Sequence, residues 1–370
     1  MSDQQIREFL PPSGPLVGLR VVEFASIGPG PHCAMLLADL GADVLRIDRA
    51  GGNGWPNPVV DRGRAPLELD IRTDDGRSES LKAADHADVV IEGFRPGVME
   101  RLGLGPDVLL TRNPRLVYGR MTGWGQHGPL SHAAGHDINY IALSGALAAI
   151  GRPGEPAVPP LNLVGDFGAG SMFLAFGIMA ALWERERSGK GQVIDAAIVD
   201  GVGSLMSMFA GLFPSGRISV DRQRSLLGGA APFYRCYQCA DGKEISIGPL
   251  EPQFFAELLE KIGAPAEWMS SQNDASNWLQ RSAALSEIFK SRSAADWCRL
   301  LEGTDVCFAP VLPLEEVPAH AHIKARQAYI ESNGLLQSAP APRFSRTPGS
   351  IRPAGRGADM LVSWSAKTRS

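Results

Sequence analysis

The chain has 370 residues, of which 44% are hydrophobic and 21% charged, with a net charge of −4 and a pI near 6.0. This is more than one core usually fills, so two domains are expected, and the acidic balance excludes the basic footprint of a nucleic-acid binder. Cys33, Cys236, Cys239, Cys298 and Cys307 form an odd, sparse set, which points to reduced thiols and a cytoplasmic protein.

Met1 to Gln5 shows neither a basic n-region nor an apolar core, so no secretory leader is expected. Leu19 to Phe24 reads as a buried strand, followed by the loop Gly28-Pro29-Gly30-Pro31 and a helix over His32 to Leu40 that ends at Gly41. A strand at Asp43 to Asp48, a helix around Gly76 to His86 and a strand at Asp88 to Glu92 continue the alternation. A short helix near Pro106 to Thr111 then leads to a strand at Leu116 to Met121. Repeated strand–helix–strand units imply right-handed crossovers and a mostly parallel α/β sheet. Ligands of such sheets bind beyond the carboxyl ends of the strands.

The apolar run from Ser171 to Trp183 is too short to cross a bilayer and ends in Glu184-Arg185-Glu186-Arg187, so it reads as a buried helix and no membrane partner is expected. Gly191 to Ala197 reads as a further strand, and the charged, then glycine-rich stretch from Asp221 to Gly229 as a linker. Phe233 to Cys239 and Lys243 to Gly248 flank Asp241-Gly242, a hairpin signal. Glu251-Pro252 opens a helix from Gln253 to Ile262, where Glu251 has either a capping or a functional role. Further helices run near Ala283 to Lys290 and Ala294 to Leu301. The expected divisions are a large domain over 1–220, a smaller α+β domain over 221–316, and a tail over 317–370 that returns to the large domain or crosses a partner subunit.

Two stretches carry chemistry. Gly135-His136-Asp137-Ile138-Asn139-Tyr140 and, thirty residues after its histidine, Asp166 within Asn162 to Gly170 each set one ionisable side chain among small residues. An imidazole and a carboxylate brought together can move a proton in either direction; the same pair also occurs as a structural hydrogen bond. Gly28-x-Gly30-x-x-Cys33 with Asp48 is a near miss of the dinucleotide fingerprint. Cys33 replaces the third glycine and two prolines remove backbone donors, so no NAD is expected. Cys236 and Cys239 form a CxxC without a second ligand pair, so no metal is expected.

Taken together, Gly28 to Pro31, Ala42 to Arg49, Glu92 to Val98, Met121 to Gln126, Pro160 to Gly168, Gly189 to Val193, Ala240 to Lys243 and Glu251 to Phe254 resemble the family III CoA-transferases. Gly135 to Tyr140 with Glu251 points, within that family, to the racemases of 2-methylacyl-CoA thioesters. The resemblance extends from about Leu16 to Thr347, with residues 51–62 matching poorly and Arg72 standing where relatives often carry lysine. It implies a Rossmann-like sheet in the large domain, an interlocked homodimer and an acyl-CoA substrate, with no metal or nicotinamide cofactor. It also implies catalytic roles for His136 and Asp166, with Glu251 pairing His136. CoA is then expected against Ile27, Arg49, Leu69, Asp70, Ile71, Arg72, Val90, Arg101, Gly135, Asp137, Ile138, Asn139 and Tyr140. The alternatives are a CoA-transferase that uses Asp166 as nucleophile, a silent acyl-CoA-binding protein, and an NAD-dependent oxidoreductase.

Overall fold

The structure is a computed structural model and describes residues 13–366 apart from 53, 217 and 333. Its chain forms two compact units. The first comprises 13–144, 161–205 and 327–366 of the described residues, and the second 145–160 and 206–326. The second unit is therefore not the continuous 221–316 span. It takes in 145–160, and the stretch expected to link the domains, 221–229, lies inside it.

In the first unit, β1 (Arg20–Phe24), β2 (Asp43–Asp48), β3 (Arg64–Glu68), β4 (Val89–Glu92), β5 (Val117–Thr122) and β6 (Val193–Ala197) form one parallel sheet. Their order is β3-β2-β1-β4-β5-β6, the doubly wound order of dinucleotide-binding folds. Val21, Val22, Val44, Leu45, Val89, Val90 and Ile91 are fully buried, as both faces of such a sheet must be. The crossovers include α1 (Pro29–Asp39), α2 (Asp74–His86), α3 (Val98–Arg101) and α4 (Pro106–Arg112). Because the order reverses between β1 and β4, their carboxyl ends diverge and leave a crevice there.

Strand β3 has no apolar alternation. It is an edge strand that tolerates Pro66 opposite Arg46. Arg64 is anchored by a buried ion pair to Glu23 of β1 at 2.6 Å.

Beyond β5 lie α5 (Asp137–Leu143), a π-helical turn over Leu163–Ser171, α6 (Met172–Ser188) and α7 (Ile198–Leu205). The π-turn and α6 run together for 26 residues, long and apolar enough to cross a membrane by length and composition. The apolar run is thus longer than the sequence suggested, and it is only partly buried. Leu174, Ile178 and Ala181 enter the core, while Met172, Phe176, Met179 and Trp183 form an exposed stripe at helical spacing. Near its end Arg185 is buried and paired with Asp88 at 3.1 Å.

The second unit contains α8 (Ser207–Leu212) and a three-stranded antiparallel sheet of β7 (Arg235–Gln238), β8 (Glu244–Ile247) and β9 (Phe308–Val311). Gly242, with φ +78°, makes the expected hairpin turn. α9 (Pro252–Ile262), α10 (Trp278–Phe289) and α11 (Ala294–Leu301) pack on the sheet through Phe255, Leu258, Leu285, Phe289 and Trp297. The CxxC cysteines do not point the same way. Cys236 is exposed on β7 and Cys239 is buried.

After α12 (Ala321–Arg326), the chain re-enters the first unit through the hairpin β10 (Tyr329–Ser332) and β11 (Leu335–Ser338). The last helix, Gly357–Ala366, sets Trp364 into the core with Val22, Phe24, Leu45 and Tyr118.

Candidate active site

Local sequence explains why His136 and Asp166 stand where they do. His136 is the N-cap of α5, with extended backbone, and its N–H donates to Asn139 Oδ1 at 3.0 Å. The side chain is left exposed. Asp137, the next residue, is 8% exposed. Its Oδ2 accepts from the backbone N–H of Asp166 at 2.6 Å, so a carboxylate from one segment fixes the backbone of the other. Gly165 makes this approach possible, because an ideal Cβ there would overlap Asp137 Oδ2 and lie 2.8 Å from Asp137 Cγ.

The π-turn carries Asp166 partly buried. Phe167 N–H donates to Asn162 O at 3.2 Å, the wide i→i+5 spacing that often marks functional sites. Asn162 Nδ2 donates to Asp166 Oδ2 at 3.3 Å. Burial raises the Asp166 pKa above the ordinary carboxylate range; the Asn162 hydrogen bond opposes this, the charge of Asp137 adds to it, and His136 opposes it. His136 and Asp166 thus lie within electrostatic reach of each other. Beneath them, His32 Nδ1 is 2.7 Å from Ser171 Oγ and its ring sits 4.6 Å from that of Phe167.

Asp166 also faces the first strand–helix turn. Gly28 has φ +74°, and a Cβ built there would sit 3.3 Å from Asp166 Oδ2. In a dinucleotide fold that turn receives the pyrophosphate; a carboxyl group beside it is an electrostatically poor neighbour for one. Ile27, the residue before Gly28, is on the wall of an open cleft of about 670 Å³ at the carboxyl ends of β1, β2 and β4. Arg49, Leu69, Asp70, Ile71, Arg72 and Arg101 line it as well. Arg72 is held by Asp70 through two hydrogen bonds of 2.9 and 2.8 Å, which keep the Asp70 pKa down at about 2. Arg49 Nε donates to Gly52 O at 2.9 Å. Three guanidinium groups around one cleft suit phosphate oxygens, which they bind in bidentate fashion.

Other expected contact residues fall elsewhere. Val90 is corrected: it lies in the middle of β4 between β1 and β5, with 0% exposure, so its side chain reaches no ligand. Gly135, Asp137, Ile138, Asn139 and Tyr140 do not line the cleft; they build the α5 end of the site. Asp137 turns its carboxyl inward to Asp166, and the buried Tyr140 hydroxyl donates to Gly135 O while its ring meets Trp124 edge-on at 4.8 Å. Ile138 and Asn139 are exposed. Glu251 belongs to the second unit, where it is the exposed N-cap of α9 and its side chain makes no capping hydrogen bond. Sequence reasoning assigned no role to Asn162, although its position four residues before Asp166 was a usable signal. Among the described residues no group of three or more His, Cys, Asp or Glu is placed to hold a metal ion.

Comparison with known proteins places the chain in a family. The model of CoA-transferase family III matches residues 16–357. The chain is 45% identical to mouse alpha-methylacyl-CoA racemase over 90% of its length and 87% of the relative's, and 42% identical to the human one over the same shares. It is 31% identical to the beta subunit of succinyl-CoA–L-malate CoA-transferase from Chloroflexus aurantiacus, over 92% of this chain and 90% of that protein. The crystal structure of a CAIB/BAIF family protein from Brucella suis superposes with a TM-score of 0.81 at 28% identity, covering 95% of this chain and 100% of that one. The chain therefore belongs to CoA-transferase family III.

Proposed function

We propose that this protein interconverts the R and S forms of 2-methylacyl-CoA thioesters by moving the α-proton between His136 and Asp166. The observation that carries the reading is the joined placement of the two groups: Asp137 ties their segments together, and Asp166 lies beside Gly28, whose chain neighbour Ile27 is on the wall of a cleft lined by arginines. The similarity to two racemases at 42–45% identity supports it.

The α-proton of a thioester is far less acidic than either side chain, so the enolate must be stabilised as it forms. Donors aimed at the thioester oxygen are the usual large contribution. The N–H groups of Asp137 and Ile138 in the first turn of α5 follow His136 directly in the chain, while that of Asn139 is bonded to His136 O at 2.8 Å. For the S substrate His136 is the base and Asp166 the acid; for the R substrate the roles exchange. Burial favours the protonated carboxyl, which suits Asp166 to return a proton to the opposite face. Arg49, Arg72 and Arg101 hold the CoA phosphates. The reaction moves a proton and no electrons, so it calls for no redox cofactor.

The test is proton NMR of one enantiomer of a 2-methylacyl-CoA in deuterated water. Wild type should place deuterium at the α-carbon while the enantiomers equilibrate. His136→Ala and Asp166→Asn should each abolish inversion, because one face loses its proton carrier. A transferase would instead form a covalent acyl anhydride at Asp166. Absence of α-deuterium in wild type, with hydroxylamine inactivating the enzyme only when acyl-CoA is present, would replace the racemase reading with that one.

A further inference from the structure

The second unit holds a cavity of about 1030 Å³, lined wholly by its own residues and as large as the upper range of small-molecule pockets. Its charge is lopsided. Arg152, Arg222 and Arg235 line it, against Glu155 as the one carboxylate among the described lining residues. None of the three arginines forms an ion pair among the described residues, although the chain as a whole is acidic, with a net charge of −4.

The three are gathered by separate segments. Arg222 Nη1 donates to the backbone carbonyl of Glu155 at 2.7 Å and lies 3.1 Å from where a Cβ on Gly151 would sit, so it is held against the loop that carries Arg152. Arg235, on β7, lies over the Tyr237 ring at 5.5 Å, which orients its guanidinium without neutralising it. Burial raises the Cys236 pKa and the charge of Glu244 adds to it, while Arg152 and Arg235 oppose it, so both arginines stand within electrostatic reach of this residue of the cavity wall. Like charges lining one cleft repel each other, and a bound anion relieves that repulsion. Gln223, Ser246 and Ser282 add neutral polar groups, and one side of the wall is apolar. Trp278 and Leu279 of α10, with Leu227, Ile247 and Val158, line it, and Leu279 is 86% exposed.

We infer that this cavity binds a carboxylate carried on an apolar body, with the carboxylate held by Arg152, Arg222 and Arg235 and the apolar body lying on Trp278 and Leu279. A forked guanidinium matches the two oxygens of a carboxylate, and the apolar wall has no use for inorganic phosphate. This chemistry has two sources, a free carboxylic acid or the far end of an acyl thioester that carries a second carboxylate.

Calorimetry on the full chain tests the site and needs no turnover, so its failure is separable from failure of the racemase reading. The titrants are sodium decanoate, decyltrimethylammonium and inorganic phosphate. Decanoate should bind wild type. It should bind the Arg152→Ala/Arg222→Ala protein at least about tenfold more weakly, as expected for lost charge-assisted hydrogen bonds. An Arg152→Lys/Arg222→Lys protein, which keeps the charge, should fall between the two. A second arm compares KM for 2-methylacyl-CoA substrates ending in a carboxylate or in a methyl group. A rise of at least about tenfold in the ratio of these KM values in the alanine protein identifies the acyl end as the source. An unchanged ratio with decanoate binding lost identifies the free acid. The proposal is overturned if the alanine protein binds decanoate as wild type does, if decyltrimethylammonium or phosphate binds as tightly as decanoate, or if wild type neither binds decanoate nor prefers the carboxylated substrate.

Discussion

Replacing Gly165 with Ala tests how the site is held together, because the glycine touches no substrate in the proposed mechanism. The added methyl would overlap Asp137 Oδ2, and it would sit 2.8 Å from Asp137 Cγ and 3.0 Å from Ile141 Cγ2. Ile141 is fully buried and cannot retreat, so the Asp137 carboxylate must move and release the Asp166 N–H it now holds at 2.6 Å. A lost hydrogen bond to a buried charged group costs about 1.5–3 kcal/mol, and overpacking adds roughly 1–3 kcal/mol. A loss of about 2.5–6 kcal/mol is therefore expected, which should lower the thermal midpoint by several degrees. The stronger effect should be on rate. Displacing Asp166 by about 1 Å misaligns a proton carrier, and such shifts cost on the order of 100-fold. The assay pairs thermal unfolding with α-deuterium incorporation, followed for each enantiomer of one 2-methylacyl-CoA. Inversion should fall much further than stability explains, while KM changes little because the arginine cleft is untouched. Asp137→Asn, which keeps the shape and an acceptor oxygen, should retain more activity than Gly165→Ala. A Gly165→Ala protein with wild-type kcat and midpoint would refute the claim that Asp137 positions Asp166.

Arg101→Ala should raise KM for acyl-CoA roughly tenfold with a smaller change in kcat, since Arg101 lines the cleft and the proton carriers do not; an unchanged KM at low and moderate salt would remove it from phosphate binding. Glu92 is fully buried at the end of β4, and burial raises its pKa to about 7 despite Arg120 Nε at 2.9 Å and the Phe94 N–H at 2.7 Å. A folded-state pKa above the unfolded one makes its contribution fullest at low pH, and that contribution declines as pH rises from about 4.5 to about 7. The change amounts to at most ~3 kcal/mol. Relative to Glu92→Gln, wild type should be more stable at pH 5.5 than at pH 7.5 by thermal unfolding, and the opposite trend would show that the Arg120 pair keeps Glu92 ionised.

Most of the sheet was legible in local sequence. Val21 to Phe24, Asp43 to Asp48, Val89 to Glu92 and Val117 to Met121 are short apolar runs between helical segments, and each became a parallel strand. The hairpin around Asp241-Gly242 and the helix Ala294–Leu301 were equally legible, because turn chemistry and helical period are local properties. Strand β3 was not. Arg64, Pro66 and Glu68 carry no apolar pattern, and only the edge place beside β2 and the Arg64–Glu23 pair make a strand of them. The unit boundaries were hidden for the same reason, since no local signal says that 145–160 packs with residues beyond 206. At the site, the sequence named His136 and Asp166 through a family resemblance, but tertiary structure decided the rest. It buried Val90 in the sheet and turned Asp137 from an expected ligand contact into the support of Asp166. It also brought Gly28 against the Asp166 carboxyl across more than a hundred residues of chain. Periodicity records which face of a segment avoids water; which two faces meet is set by packing between segments far apart in the chain, and so is the pKa that the meeting produces.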